Sequence, residues 1–311
     1  MECGFELAGV ARAEPLPEAG WYLEWVRRGM AGAMDYLADH RADLRRDPRS
    51  LLPSARSIIC VGKLYNTAYP YSTEFTAPGR AWISRYGWGR DYHTVMRKGL
   101  RLLVRKLQKA TAAGFDWRIA VDSAPLLERA LARRAGLGWI GKNSCLIHQN
   151  GGSWFFLAEL LVSLEIEPDA PPEDRCGSCT RCIDACPTGA LVPTGLEGGP
   201  AFCVDSRRCV SYLTIELREE ADPGLSQAAG RHLFGCDICQ DVCPWNRKAG
   251  VTEDIAFQPR HFAPAAEWLE SMSEPGFRAA FEGTPVRRAG WGGFRRNRAA
   301  VLEHFGRGRR S

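Results

Sequence analysis

Over roughly the first 170 residues, short apolar runs alternate with amphipathic stretches. Residues 57–65, with Ile58, Ile59, Cys60 and Val61 in succession, predict a buried strand. Residues 91–113 carry Val95, Leu100, Leu103, Val104 and Leu107 at helical spacing, and Gly114 suits a C-terminal cap, so a helix is predicted there. Residues 117–121 read as a second strand. It runs through Asp122-Ser-Ala-Pro125 into a helix predicted over 126–135. The glycine-rich turn Gly136-Leu-Gly-Trp-Ile-Gly-Lys-Asn143 comes next. Residues 144–148 and 153–164 then read as two strands joined across Gln149-Asn-Gly-Gly152, an Asn-Gly hairpin signal.

The pattern breaks at the acidic, proline-rich stretch 165–174, the clearest domain boundary in the chain. The fold class expected is α/β (α+β): a domain over 1–168, a second over 169–250, and a mostly polar, helical, arginine-rich segment over 251–311. A chain of 311 residues with 45% hydrophobic and 25% charged residues has room for two globular cores. No run approaches 18 apolar residues, so no membrane span is expected, and no signal segment is read at the start.

Cysteine spacing changes the picture from fold to chemistry. Cys176-Gly-Ser-Cys179-Thr-Arg-Cys182-Ile-Asp-Ala-Cys186-Pro187 is the bacterial ferredoxin pattern, and Cys236-Asp-Ile-Cys239-Gln-Asp-Val-Cys243-Pro244 is a second, shorter run. Two runs closing on Cys-Pro predict two [4Fe–4S] clusters and hence electron transfer. In such proteins the last cysteine of each run crosses to the other cluster. Cys176, Cys179, Cys182 and Cys243 then hold one cluster, and Cys186, Cys236 and Cys239 part of the other. The missing ligand lies between the runs, at Cys209 or Cys203; Cys209, at the start of a predicted helix, is preferred to Cys203, which follows a loop. Paired zinc knuckles do not have this three-in-a-row spacing, and a disulfide framework suits short secreted chains. Cys60 and Cys145 read as buried small hydrophobes. Thiolate-bound clusters point to the cytoplasm.

Clusters need an acceptor for their electrons, so the preceding domain must hold a second cofactor or the substrate. Asp122, at the end of a strand and before a helix, is the candidate for acid–base work; the same position also suits a helix cap. Gly136-x-Gly-x-x-Gly141 has dinucleotide-loop spacing but follows a helix rather than a strand, which discounts it, although a phosphate-bearing ligand could approach its backbone.

Charge is uneven. Residues 285–311 hold eight arginines against one glutamate, a larger positive balance than the whole chain's +5. Trp291 and Phe294 are interleaved with them, a pattern that suits phosphate contact and base stacking; a solvated helix face is the plainer reading.

Five segments together resemble the epoxyqueuosine reductase family: residues 121–129, 135–143, 176–188, 208–214 and 235–246. The likeness runs over nearly the whole chain. It implies a cobalamin held between an α/β domain and a two-cluster domain, and reduction of the epoxide of epoxyqueuosine at the wobble position of tRNAs for Tyr, His, Asn and Asp. Asp122 matches the family's proton donor. Arg45, Leu146, Leu157, Ser211, Asp237 and Asp122 itself match cobalamin contacts, and Cys209 matches the isolated cluster ligand. Residues 193–203 depart from the family's shorter connection. The resemblance turns the basic segment into a tRNA surface, with Arg287, Arg288, Arg295 and Arg296 as phosphate contacts and Trp291 to stack. It further implies a monomer served by an unidentified low-potential electron donor. To act as an acid near neutral pH, Asp122 is expected to have a raised pKa. A reductive dehalogenase-like enzyme and a plain iron–sulfur electron carrier are the competing readings.

Overall fold

The computed structural model describes residues 2–111, 113–196 and 199–308. Its centre is a four-stranded sheet in the order Leu7–Arg12, Ser57–Leu64, Phe155–Val162, Trp117–Ala120, antiparallel at every step. The apolar run beginning at Ser57 is buried at all eight positions because it is the second strand in, covered on both faces. Ile59, Val61, Leu160 and Val162 pack on one side with Met96, Leu100 and Val104 of helix Tyr92–Ala110. Ile58, Cys60 and Leu161 pack on the other with Leu131 and Ala132 of helix Glu128–Arg134. The first helix starts at an Asp91 cap that accepts the His93 N–H, and stops at Thr111, whose N–H and hydroxyl both bond the Leu107 carbonyl. It therefore falls short of Gly114.

The predicted Asn-Gly hairpin is corrected. Phe155–Val162 gives its whole length to Ser57–Leu64, while Leu146–Ile147 turns back to pair with Trp139–Ile140. Only the His148–Gly152 bridge closes the expected turn. Gly138 permits the alternative, since a Cβ there would lie 2.3 Å from the Ile147 carbonyl oxygen.

Packing also crosses the expected boundaries at 168 and 250. The stretch after 164 is pinned to the sheet edge, with Asp169 N–H bonding Val10 O (2.9 Å) and Val10 N–H bonding Asp169 Oδ2 (2.8 Å). Strand Trp82–Ile83 pairs in parallel with His232–Phe234. One buried cluster joins Ala81, Trp82, Trp88, Leu233 and Phe234 to Leu269, Phe277, Phe281, Phe294 and Val301. The C-terminal segment is thus part of a shared core rather than a mostly polar tail. No helix among the described residues is long and apolar enough to cross a membrane.

Candidate active site and cluster-binding region

The cysteines form two neighbourhoods. Burial pushes the Cys182 thiol up to about 11, reinforced by Cys243, Cys176 and Cys179 close by. Burial likewise raises Cys209, whose cysteine neighbour is Cys186, and Cys236, which lies beside Cys209. Cys239 has Cys145, Cys236 and Cys209 around it. Crowded, buried thiols held high are what iron must deprotonate on binding. The chain crosses over, placing Cys243 with the first run and Cys186 with the second.

Backbone N–H groups point at the sulfurs. Ala190 N–H bonds Cys186 Sγ at 3.2 Å, and Cys209 Sγ receives the N–H groups of Ser211 and Tyr212 at the start of helix Val210–Ile215. Such bonds stabilise negative charge on sulfur. Ser211 also directs its hydroxyl at Cys209. Cys203 lies apart, on strand Phe202–Val204, with its sulfur 3.8 Å from Met30 Sδ. Glu197 and Gly198 of the same 193–203 segment lie outside the described residues.

The glycine-rich turn has a different use from the phosphate loop considered for it. Lys142 Nζ donates to the carbonyls of Gly177 (2.7 Å) and Cys179 (3.0 Å), and Asn143 Nδ2 donates to that of Cys239 (3.2 Å). Trp139 packs edge-on to Trp245 at 4.8 Å. The turn clamps both cysteine runs onto the first domain. Its signal was present in the Lys-Asn pair but unreadable without knowing what lay opposite.

Asp122 follows strand Trp117–Ala120 in a left-handed conformation, φ 54°, uncommon for a residue with a side chain. Its N–H donates to Glu128 Oε1 at 2.6 Å. Its half-exposed carboxylate meets His93, with Nε2 at 3.3 Å from Oδ2, and His93 Nδ1 lies 2.7 Å from Asp91 Oδ1. Tyr92, stacked on Phe156 at 4.3 Å, also reaches Asp122. The hydrogen bond from His93 holds Asp122 below the usual carboxylate range. Asp122 and then Asp91 push His93 up to about 9. The raised pKa expected for Asp122 is therefore corrected: its partner imidazole carries the proton. His93 was missed because a histidine 29 residues upstream shows no pairing in the sequence.

Other expected residues are brought near or spent elsewhere. Arg288 forks onto Glu216, Nη2 at 3.0 Å from Oε2, lies over the Tyr36 ring at 5.3 Å, and stands within electrostatic reach of Asp122. Arg295 is exposed. Arg287 is exposed and donates to the Arg278 carbonyl at 3.1 Å. Arg296 is corrected as a phosphate contact: its guanidinium turns inward onto the carbonyls of Leu213 (2.6 Å), Leu217 (2.7 Å) and Glu219 (2.8 Å). Trp291 is half-buried against Phe277 and Phe294, with the Arg298 guanidinium 5.6 Å from its ring centre. Arg309 and Arg310, counted in the basic segment, lie outside the described residues.

Among the expected cobalamin contacts, Arg45 is buried, bonding the Arg41 carbonyl at 2.9 Å and lying over the Tyr22 ring at 5.4 Å. Asp237 is buried too, its carboxylate taken by Trp82 Nε1 (3.0 Å), the Ser84 hydroxyl and Arg85 N–H (2.8 Å). Its carbonyl in turn accepts the N–H groups of Gln240 and Asp241, both at 2.8 Å. Leu146 is buried and Leu157 half-buried in the cluster that contains Leu126, four residues after Asp122. Ser211, beside Cys209, is partly open.

Residues 45–123 match the family described as Epoxyqueuosine reductase QueG, DUF1730, and residues 175–246 match the 4Fe-4S double cluster binding domain. The epoxyqueuosine reductase of Xanthomonas campestris pv. campestris is 40% identical over 305 residues, 97% of this chain and 83% of that protein. A crystal structure of epoxyqueuosine reductase with an epoxyqueuosine-modified tRNA-Tyr stem loop superposes at a TM-score of 0.86 and 30% identity, over 98% of this chain and 79% of that one. The Bacillus subtilis enzyme, solved with its catalytic aspartate loop swung out of the active site, superposes at 0.83 and 29% identity, over 98% and 79%. With a double cluster domain, a shared fold and close relatives along nearly its whole length, the chain belongs to the epoxyqueuosine reductase family.

Proposed function

We propose that the chain reduces the epoxide of epoxyqueuosine in tRNA to queuosine, with His93 and Asp122 handling the protons. The observation that carries the acid–base part is the His93–Asp122 pair, half-exposed and charged at neutral pH. Removing an epoxide oxygen as water consumes two electrons and two protons, and the departing oxygen needs a proton source in place. His93 holds a proton at neutral pH through Asp122 and Asp91, and Asp122 presents the carboxylate through which it passes to substrate.

Cys176, Cys179, Cys182 and Cys243 would hold one [4Fe–4S] cluster, and Cys186, Cys209, Cys236 and Cys239 the other, supplying electrons singly. Leu146, Leu157, Ser211, Asp237 and Arg45 would hold cobalamin. The apolar surface, hydroxyl and peptide groups suit a corrin edged with amides. When bound, cobalamin supplies a low-valent cobalt as nucleophile or reductant. Arg287, Arg288 and Arg295 would meet tRNA phosphates. Arg288, held by Glu216 within reach of Asp122, ties that surface to the site.

The test is turnover of epoxyqueuosine-containing tRNA by protein loaded with iron, sulfide and cobalamin under a strong reductant. Conversion to queuosine is expected, with loss in Asp122→Asn at unchanged cofactor spectra. Full activity of that variant removes Asp122 from the role.

A further inference from the structure

Two acids beneath the Asp122 loop take no part in the chemistry above. Glu159 lies mid-strand, level with Ala120 on one side and Cys60 on the other. It is 0% exposed, and neither carboxylate oxygen receives a hydrogen bond from a fixed donor among the described residues, its side-chain neighbour being the Glu128 carboxyl. Buried polar groups are ordinarily paired, so an orphan acid on the central sheet asks for a reason. Glu128 opens the next helix, half-buried, and its Oε1 accepts the Asp122 N–H at 2.6 Å.

That bond holds a strained backbone. Asp122 sits at φ 54°, and the neighbouring bonds, Ser123 N–H to Val121 O and Leu126 N–H to Ala124 O, span two residues each. A residue with a side chain stays in this region only where its surroundings hold it. We propose that Glu128 is the positioning residue of the Asp122 loop, and that Glu159 makes this latch proton-dependent by keeping a shared proton between the two carboxyls. The proposal deepens the acid–base reading of Asp122 and rests on it for why the loop must be held.

The groups facing the pair support a single shared proton. Asp122, Arg129 and His93 face Glu128, while Glu128 and Asp122 face Glu159, with the buried Cys60 thiol alongside. Burial, followed by these neighbouring acids, raises both carboxyls. With the proton present, one oxygen of Glu128 accepts from Asp122 while Glu159 stays neutral. Without it, two anions face each other in the core, and the latch loosens.

Hydrogen–deuterium exchange of the Asp122 amide, followed by mass spectrometry in the cofactor-loaded protein, tests this. Glu128→Ala is expected to speed that exchange about tenfold, the size of one lost hydrogen bond. In wild type, protection corrected for intrinsic exchange should fall as the pH rises above about 7 and the shared proton leaves. Glu159→Gln, which donates without titrating, should keep protection flat over that range. Unchanged protection in Glu128→Ala, or the same pH response in wild type and Glu159→Gln, overturns the proposal. Should Glu128→Ala not fold, the pH comparison decides alone. Full activity of Asp122→Asn alongside faster exchange in Glu128→Ala would sink the acid–base reading and leave the latch standing.

Discussion

His93 Nε2 stands 3.3 Å from Asp122 Oδ2, and through Nδ1 the same ring meets Asp91 at 2.7 Å. One imidazole between two carboxylates is held protonated, and it couples the helix start at Asp91 to a loop that follows a strand of the central sheet.

If His93 and Asp122 act as a unit, their losses do not add. His93→Gln and Asp122→Asn should each lower turnover by roughly a hundredfold or more, and the double variant should be little worse than either. Single-turnover rates on modified tRNA measure this; additive losses would separate the two roles.

The pH profile follows from the same pair. His93 is raised to about 9 by Asp122 and Asp91, so its proton is fully present near neutral pH and is lost as the pH climbs through about 9. Activity should fall along that limb. In Asp91→Asn the limb should move to lower pH, because one of the two carboxylates that raise His93 has lost its charge.

The cysteine neighbourhoods separate Cys209 from Cys203. Cys209→Ser should lose about half of the bound iron, since one of two four-thiolate clusters loses a ligand. Cys203→Ser, whose sulfur faces Met30, should retain all of it. Iron and sulfide analysis of anaerobically purified protein decides between them.

Two adjacent arginines should behave differently. Arg295→Ala should weaken tRNA binding and lower the slope of log affinity against log salt by about one. Arg296→Ala should leave that slope unchanged and destabilise the fold by about 1–3 kcal/mol, because the carbonyl of buried Leu213 loses its donor, along with those of Leu217 and Glu219 nearer the surface. Filter binding at several salt concentrations and urea unfolding distinguish the two.

Gly138 tests the corrected pairing of the glycine-rich turn. Gly138→Ala places a Cβ 2.3 Å from the Ile147 carbonyl oxygen, so backbone must move. A destabilisation of about 1–3 kcal/mol is expected, as for overpacking elsewhere. A neutral result in urea unfolding would mean that the two short strands separate at little cost.

Covalent spacing determined the cluster chemistry: ligands three residues apart on one short segment need no tertiary information, and both cysteine runs of the double cluster domain were legible. The buried strand from Ser57 and the amphipathic helix after Asp91 were legible for a similar reason, since periodicity records which face is covered. Strand partners were not. The Asn-Gly turn is a local signal, and it lost to the eight-residue register between Ser57–Leu64 and Phe155–Val162, a long-range gain no local window contains. The protonation of the site belongs to the same class. Asp122 was picked out from its position along the chain, but its charge state depends on His93, brought to it by folding. Arg296 and Arg295 are equivalent as sequence; only packing against the helix that follows Cys209 makes one a half-buried strut and leaves the other to solvent. Electrostatics and packing act through space, so these properties were decided by the tertiary structure alone.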